Sequence, residues 1–409
     1  MNKIALILIV GILLRILIAA STYHPDLQTF NLAGQIVASG HVLDIYDYLQ
    51  NLPDSHEWKN LALFNYPPAI YIFHGSFNFI FSSIFYLWQV NYFLMDVITN
   101  YGNINFNLHL LLLKIPYLIF DLLAAFFIIK LFDNKKDKLI AFGLWMFNPI
   151  NLYATYMMGQ FDIIPTSLMV LALVFASKNK LPTAAFFLGF GIAFKVFPIF
   201  LLPIFILMTN RWLDRAKIGL IAFIPYLISV VPFISSSGFR TNALFADQGS
   251  KSLYSTLAVS GGERIFLFPL FLLAFYLILL KKGVNKEVLN SKSLIAFLLF
   301  FIFTHFHPQW LLWITPFLII CLVREKTKNL IQILILLISY LISLFFFESS
   351  LTVNLFAPLL PFLKNLPGIW EILNINIDIN YSRSITQTIF AAASLYLIYI
   401  HFPSKDAKD

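Results

Sequence analysis

Residues 108–131 read LHLLLLKIPYLIFDLLAAFFIIKL, an apolar run long enough to cross a membrane as one helix. Similar runs recur along the chain, which is 59% hydrophobic and only 12% charged, with a mean hydropathy of +0.81. A soluble core does not need that much apolar surface, so the composition predicts an all-α polytopic membrane protein. The net charge of +8 then reflects topology and attraction to lipid, and no nucleic-acid partner is expected.

About twelve transmembrane helices (11–13) are predicted. They cover residues 4–20, 108–131, 139–155, 163–177, 181–194, 196–208, 216–234, 265–280, 293–306, 310–323, 329–347 and 385–401. Cytoplasmic loops are usually rich in Lys and Arg. Nineteen such residues fall on one side of these spans, and six fall on the other: Lys59, Arg240, Lys251, Arg264, Lys364 and Arg383. We therefore expect a multi-pass cell-membrane protein with both termini in the cytoplasm. The first span lacks a small-residue cleavage site and is expected to remain uncleaved.

Two segments decide this count. Residues 69–87 are apolar enough to form a thirteenth span, which would put Lys135 and its basic neighbours outside. Their His, Ser and Asn residues favour a surface-lying or re-entrant helix instead. Residues 181–208 must cross twice to keep Arg211 inside, and each leg is then short for a bilayer. The turn at Lys195 should therefore lie below the outer surface, inside the protein.

The chain divides into a catalytic membrane module, residues 1–234, and a C-terminal membrane module, residues 235–409. The first module contains a large first outer loop, 21–107, and the second contains outer loops 235–264 and 348–384. Five to seven short interfacial helices are expected in these loops. One of them spans residues 27–39, with Asp26 well placed as its N-cap.

Ionisable residues at membrane depth are costly unless they are paired or line a cavity. The set consists of Arg15, Lys114, Asp121, Lys195 and, near the outer surface, Asp26, Asp162, His305 and His307. In the twelve-span arrangement the cations converge in depth on one outer level, which favours an anionic group there, such as a lipid phosphate. Structural alternatives remain: Arg15 snorkelling to the interface, Lys114 and Asp121 bridging to neighbouring helices, and Asp162 capping a helix. His305 and His307 form a weak metal signal without a third ligand, and Cys321 is the single cysteine.

Several short motifs, in this order, resemble the GT-C superfamily of integral-membrane glycosyltransferases. They are His24-Pro25-Asp26, Asn65-Tyr66-Pro67-Pro68, Lys114-Ile115-Pro116 with Asp121-Leu122, Asn148-Pro149, Gly159-Gln160-Phe161-Asp162, Phe194-Lys195, Phe245-Ala246-Asp247 and His307-Pro308-Gln309-Trp310. Within that superfamily the likeness is greatest to mannosyl- and glucosyltransferases that use polyprenyl- or dolichyl-phosphate sugars. One departure concerns the first loop, where the family often has two neighbouring acidic residues and Asp26 is followed by Leu27-Gln28.

The resemblance implies a GT-C-like fold and transfer of a hexose, with mannose favoured, from a polyprenyl-phosphate sugar to an acceptor hydroxyl outside the cytoplasm. It implies Asp26 as the general base of an inverting reaction, with no metal and no cofactor. The expected partners are membrane lipid, the lipid-linked donor and a glycan, lipid or protein acceptor. The substrate-binding residues implied are Arg15, Tyr66, Lys114, Asp121, Gln160, Asp162, Lys195, His305, His307 and Gln309.

Two other classes of membrane protein share some of these features. A lipid or sugar transporter or flippase would also have many spans and buried charges, but transporters often contain internal repeats and none is evident here. A lipid-linked polysaccharide polymerase or ligase usually has an Arg-rich outer loop, and only Arg240, Arg264 and Arg383 are available. The large, asymmetric outer loops favour an enzyme.

Overall fold

The computed structural model describes residues 3–402 except 57, 60, 82, 84–96, 306 and 327, and the side chains of Asp247 and Gln248 lie outside the described part. The described chain is mostly helical. Its longer helices are α1 (Lys3–Ser21), α2 (Asp26–Ala38), α4 (Pro68–Ile80), α5 (Ile104–Ile129), α6 (Lys135–Met146), α8 (Ile163–Ser177), α9 (Leu181–Phe194), α11 (Trp212–Val230), α13 (Leu267–Lys282), α14 (Leu289–Phe303), α15 (Thr315–Arg324), α16 (Leu330–Leu344) and α18 (Ile379–His401).

Shorter pieces connect these helices. The short α-helices are α3 (Ile45–Asn51), α7 (Pro149–Asn151), α10 (Leu202–Ile206), α12 (Asp247–Ser250) and α17 (Ile369–Ile372). Two π-helical turns cover Leu152–Met157 and Phe239–Leu244. Turns of 3₁₀ helix cover Ile98–Asn100, Phe197–Leu201, Val231–Phe233, Lys251–Leu253, Pro308–Trp313, Ser349–Leu351, Val353–Phe356 and Pro361–Asn365.

Each predicted span coincides with one helix or with a run of consecutive helical pieces. Within the described residues, three helical segments are apolar enough to cross a membrane by length and composition: Lys3–Ser21, Ile104–Ile129 and Trp212–Phe233. Six shorter apolar helices accompany them. The structure therefore supports a helical membrane protein, and the count of twelve crossings remains a prediction.

The predicted break at Lys195 is present. Helix α9 ends at Phe194, Lys195 adopts an extended backbone, and the chain continues as the 3₁₀ turn Phe197–Leu201 followed by α10. Gly189 brings α9 against α11, because a Cβ on this glycine would lie 1.9 Å from the Ala222 carbonyl oxygen. Lys195 therefore lies where the helical backbone opens, beside closely packed helices.

The first outer loop contains α2 packed on α4. Helix α2 begins one residue before the predicted bound, so Asp26 lies in its first turn and the N-cap is Pro25. The expectation that Asp26 is the N-cap was therefore wrong. Asp162 does occupy the N-cap position of α8, as the structural alternative had it, but its side chain makes no capping bond. Helix α4 covers the start of the segment 69–87, and residues 84–87 lie outside the described part; its interfacial position stays a prediction.

The second outer loop contains an element that the sequence analysis missed. Strands β1 (Thr256–Ser260) and β2 (Glu263–Phe266) form an antiparallel hairpin. Gly261 and Gly262 connect them with φ values of 58° and 153°, a backbone region that glycine tolerates best. The hairpin leads directly into α13. One hydrophobic core contains residues from both predicted modules, whose division stays a prediction.

Candidate active site

Asp26 presents a partly open carboxylate at the start of α2. Its side chain is 39% exposed, and its Oδ2 accepts a hydrogen bond of 2.5 Å from Gln160 Nε2. The turn that delivers Gln160 requires Gly159 in the left-handed conformation, at φ 64°. A side chain at Gly159 would also crowd Leu27 at 3.2 Å. Among the described residues, no Lys or Arg forms an ion pair with Asp26.

His24 contacts Asp26 as a neutral ring. Its Nδ1 accepts a hydrogen bond of 3.2 Å from the Asp26 backbone amide, so this nitrogen carries no proton. The same Nδ1 lies 3.7 Å from Asp26 Oδ2. Burial lowers the pKa of His24, although the charge of Asp26 opposes that shift. The carboxylate therefore has neutral neighbours and can still accept a proton.

A polar cavity of about 260 Å³ opens beside this carboxylate. Its walls come from the first loop, from the Pro308–Trp313 turn and from the third outer loop. They are formed by His24, Asp26, Thr29, Phe30, Leu63, Asn65, Tyr66, His307, Gln309, Trp310, Glu348, Ser350 and Leu351. Tyr66 is a neutral phenol, because burial raises the pKa of its hydroxyl well above the ordinary value. Asp26 and Glu348 are the two carboxylates on the wall.

Asp162 is placed differently from Asp26. Its side chain is buried, and both of its carboxylate oxygens lie 2.9 Å from Lys195 Nζ. Trp313 Nε1 donates a third hydrogen bond, of 2.5 Å, to Oδ1. Because its oxygens are occupied by a cation and an indole, Asp162 is poorly placed to accept a substrate proton.

The ammonium of Lys195 is surrounded by aromatic rings. Its Nζ lies between 5.1 and 5.9 Å from the ring centres of Tyr66, Phe161, Trp310 and Trp313. Such distances are typical of cation–π contacts. Asp162 and the rings therefore hold a cation at the edge of a largely apolar space.

That space is a second cavity of about 480 Å³. Asn65, Tyr66 and Trp310 line both cavities, so these three residues form a shared wall. Its apolar lining includes Phe197, Phe200, Val230, Phe239, Ala243, Leu244, Phe268, Phe300 and Trp313, and its cations are Lys195 and Lys251. An apolar chamber with two ammonium groups next to a polar chamber with a carboxylate suits an amphiphilic anion.

His307 connects Lys251 to the first cavity. Lys251 Nζ lies 2.8 Å from His307 Nε2, a distance at which the ammonium donates to a neutral ring. Burial, followed by the charge of Lys251, lowers the pKa of His307 to about 4. Burial also lowers the pKa of Lys251. Gln309 shares the first cavity, whereas His305 lines a separate cavity of about 610 Å³ together with Arg383.

Arg15, Lys114 and Asp121 are fully buried, and none of them lines either cavity. Arg15 Nε donates to Asp121 at 2.6 Å, and Lys114 Nζ donates to the Ala19 and Thr22 carbonyl oxygens. Asp121 also accepts hydrogen bonds from three side chains that the sequence analysis did not select: Trp145, Asn151 and Tyr156. These contacts connect α1 to α5, α6 and the π-helical turn. Lys114 and Asp121 therefore bridge neighbouring helices, as the structural alternative for these two residues had it.

The site also contains residues that sequence reasoning missed. Lys251 is one of only six Lys and Arg residues in the predicted outer loops, and this scarcity could have marked it as a candidate site residue. Glu348 begins the third outer loop, and nothing in its neighbourhood distinguishes it in sequence. Trp313 lies three residues beyond Trp310, in a 3₁₀ turn that places both indoles near Lys195. The Asp247 side chain lies outside the described part.

Comparison with known proteins indicates the class of enzyme to which this chain is similar. Residues 108–301 match the family model described as glycosyltransferase family 87. The match covers just under half of the chain and includes Gln160, Asp162 and Lys195, but not Asp26 or His307. It confirms the resemblance to membrane glycosyltransferases that the motifs predicted, and it supports glycosyltransferase activity.

A relative gives the same indication. GPI mannosyltransferase 1 from Kluyveromyces lactis is 32% identical to this chain over 95 residues. Those residues are 22% of this chain and 23% of the relative, so the similarity spans less than a quarter of that protein.

Proposed function

We propose that the protein transfers a hexose, with mannose favoured, from a polyprenyl-phosphate sugar to an acceptor hydroxyl at the extracytoplasmic surface. The observation that carries the proposal is the pair of joined cavities. One contains the open Asp26 carboxylate, and the other is apolar and contains Lys195 and Lys251. The proposed transfer reaction requires only side chains of this protein, so no cofactor is proposed. The termini would lie in the cytoplasm.

Asp26 would act as the general base. As the acceptor oxygen bonds to the anomeric carbon, the hydroxyl proton moves to Asp26, and the bond between that carbon and the phosphate oxygen breaks. The products are the glycosylated acceptor and polyprenyl phosphate. A single displacement inverts the anomeric centre. The choice of Asp26 over Asp162 is supported by their partners, because Lys195 and Trp313 already occupy Asp162.

Lys195 and Lys251 would stabilise the departing phosphate. Preorganised charge in a site with little water stabilises developing negative charge more strongly than it would in bulk water. His307 would hold Lys251 in place, and Tyr66 and Trp310, on the shared wall, would contact the sugar. Glu348 and Gln309 line the polar cavity together with Asp26 and would orient the acceptor.

The apolar cavity indicates where the prenyl chain would lie. Tyr226 and Val230 on α11, Phe268 on α13 and Phe300 on α14 line it. These helices would flank the lateral entrance. The apolar lining supports a polyprenyl-linked donor. The asymmetry of the basic loops supports the extracytoplasmic side. The match to a mannosyltransferase supports mannose as the sugar.

The test uses the purified chain with synthetic polyprenyl-phosphate mannose and glucose, and with a lipid-extract acceptor. Asp26→Asn should reduce transfer by roughly 100- to 10,000-fold, the range typical of a lost general base. Asp44→Asn is the matched control, since Asp44 lies in the same loop and pairs with His41 at the surface. Full turnover by Asp26→Asn would eliminate it as base. Donor binding without transfer by the wild type would point to a transporter.

A further inference from the structure

A second group of chemically reactive side chains lies far from these cavities in sequence. Cys321 and Glu325 are four residues apart at the end of α15, and His401 is the last residue of α18. One ligand atom from each, Sγ, a carboxylate oxygen and an imidazole nitrogen, lies within 4.8 Å of the other two. Among the described residues, this is the one group of three or more His, Cys, Asp or Glu side chains close enough to share a metal ion. His305 and His307, the weak metal signal of the sequence, do not belong to it.

The separations match a tetrahedral metal site. Cys321 Sγ lies 3.5 Å from His401 Nε2, and that nitrogen lies 3.4 Å from Glu325 Oε1. Zinc bonds of about 2.3 Å to sulfur, 2.05 Å to nitrogen and 2.1 Å to oxygen, at tetrahedral angles, place these ligand pairs about 3.6 and 3.4 Å apart. Two of the three ligand separations therefore match a tetrahedral zinc ion, and the third, between Cys321 Sγ and the Glu325 carboxylate, is within 4.8 Å.

The surroundings hold the ligands in place. Cys321 is buried, and the side chains of His401 and Glu325 are 11% and 30% exposed. Asn329 donates a short hydrogen bond to Glu325 Oε2, which leaves Oε1 directed towards His401. Lys292 Nζ donates to the His401 backbone oxygen at 2.6 Å, so its ammonium is bound to a carbonyl. A partner such as Asn329, which binds the side chain of a ligand, fixes ligand orientation in metal sites.

The ligand types select among metals. A thiolate with an imidazole suits zinc, whereas magnesium and calcium prefer sites made entirely of oxygen ligands. Three protein ligands leave a fourth position for water, and the partial exposure of Glu325 gives solvent access. In the predicted topology the group lies at the cytoplasmic face, where a thiol stays reduced.

We propose that Cys321, Glu325 and His401 bind one Zn²⁺ ion, which ties the end of α18 to the end of α15. The site is separate from the transferase chemistry, so its loss need not abolish transfer. Its expected effect is a zinc-dependent increase in thermal stability.

The test measures metal directly. The full chain, purified without a histidine tag, should contain about one zinc ion per chain by mass spectrometry, and a chelator should lower its melting temperature. After replacement by Co²⁺, the spectrum should contain a thiolate-to-cobalt charge-transfer band. Cys321→Ser and His401→Gln should lose the band and the metal, whereas His41→Gln, which removes an exposed His–Asp pair, should retain both.

The wild type alone can overturn the proposal. Absence of the thiolate band with Co²⁺, or zinc content unchanged in Cys321→Ser, would reduce the group to a hydrogen-bonded cluster. Because the first of these readouts needs no variant, a folding defect in a mutant does not affect it.

Discussion

The ammonium of Lys195 lies 2.9 Å from each carboxylate oxygen of Asp162, at the point where α9 ends. This pair places one cation at the boundary of the apolar cavity while keeping Asp162 fully occupied. Asp26, across the shared wall, has only neutral partners among the described residues. The two carboxylates therefore differ in their partners: Asp162 is bound by a cation and an indole, whereas Asp26 is partly open.

Replacing Asp162 should destabilise the fold. Asp162→Asn leaves the Lys195 ammonium without its anion in a buried site, and the expected loss is about 3–5 kcal/mol in the free energy of unfolding. Denaturant or thermal unfolding in detergent measures it. Asp214→Asn is the control, since its pair with Arg211 is exposed and should contribute about 0–1 kcal/mol. Unchanged stability with weaker donor binding would instead assign Asp162 to the substrate.

Arg15 was expected to bind substrate, and its contacts predict a structural effect. Arg15→Met should lower the free energy of unfolding by about 3–5 kcal/mol, because Asp121 loses its buried cation. The affinity of the folded fraction for polyprenyl phosphate should remain at the wild-type value. Arg211→Met, at an exposed position, controls for loss of one positive charge. Normal stability combined with lost donor affinity would restore Arg15 to the substrate site.

Lys251 should contribute to donor affinity. Lys251→Gln removes one ammonium from the apolar cavity, and loss of a hydrogen bond from a charged group costs about 1.5–3 kcal/mol, or roughly 10- to 100-fold in affinity. Equilibrium binding of polyprenyl phosphate measures the change. Lys59→Gln serves as the control, because Lys59 pairs with Asp54 in another outer loop. Equal affinities for the two variants would exclude Lys251 from phosphate binding.

Stability should fall as the pH is lowered below about 6.5. The pKa of His307 is lowered from 6.5 to about 4, mainly by burial, and burial lowers the pKa of His74 to about 3. The unfolded chain then binds more protons than the folded chain, so stability present above pH 6.5 is lost as the pH falls towards 4. Thermal unfolding of the wild type across this range measures the slope.

A variant isolates the part that belongs to His307. His307→Gln keeps an acceptor for Lys251 but does not titrate, so the slope between pH 6.5 and 4 should become shallower without vanishing, because His24 and His74 remain. Asn65→Gln, which changes the wall of the same cavity without changing a titrating group, should keep the wild-type slope. A His307→Gln slope equal to that of the wild type would show that this ring does not resist protonation.

Much of the helix arrangement follows from apolar patterning. The break at Lys195 was predictable because residues 181–208 must cross twice to keep Arg211 on the basic side, and each leg is then short for a bilayer. Neither Asp26 nor Asp162 makes a side-chain capping bond, and the reason is physical. Their carboxylates are drawn to Gln160 and Lys195, which are distant in sequence, and no local pattern reports such partners.

The site shows the same division. Motif order identified Asp26, Tyr66, Lys195, His307 and Gln309, which line one or other of the joined cavities. The depth argument grouped Arg15 with them, and depth together with a motif grouped Lys114, because neither signal distinguishes a cavity from a packed interface. Glu348 lines the same cavity as Asp26 although the two residues are more than 300 positions apart. No local sequence pattern predicts a contact over that separation.

The contacts of α1 have a consequence for how the chain is made. Arg15 meets Asp121 106 residues later, and Lys114 closes the carbonyl end of α1 from 92 residues beyond Thr22. At about 5–20 residues per second, synthesis reaches these partners roughly 5–20 s after the first helix is complete. During that interval the Arg15 guanidinium lacks the Asp121 carboxylate, and the carbonyl oxygen of Thr22 lacks the Lys114 ammonium. The buried contacts of α1 can therefore form only after α5 has been synthesised.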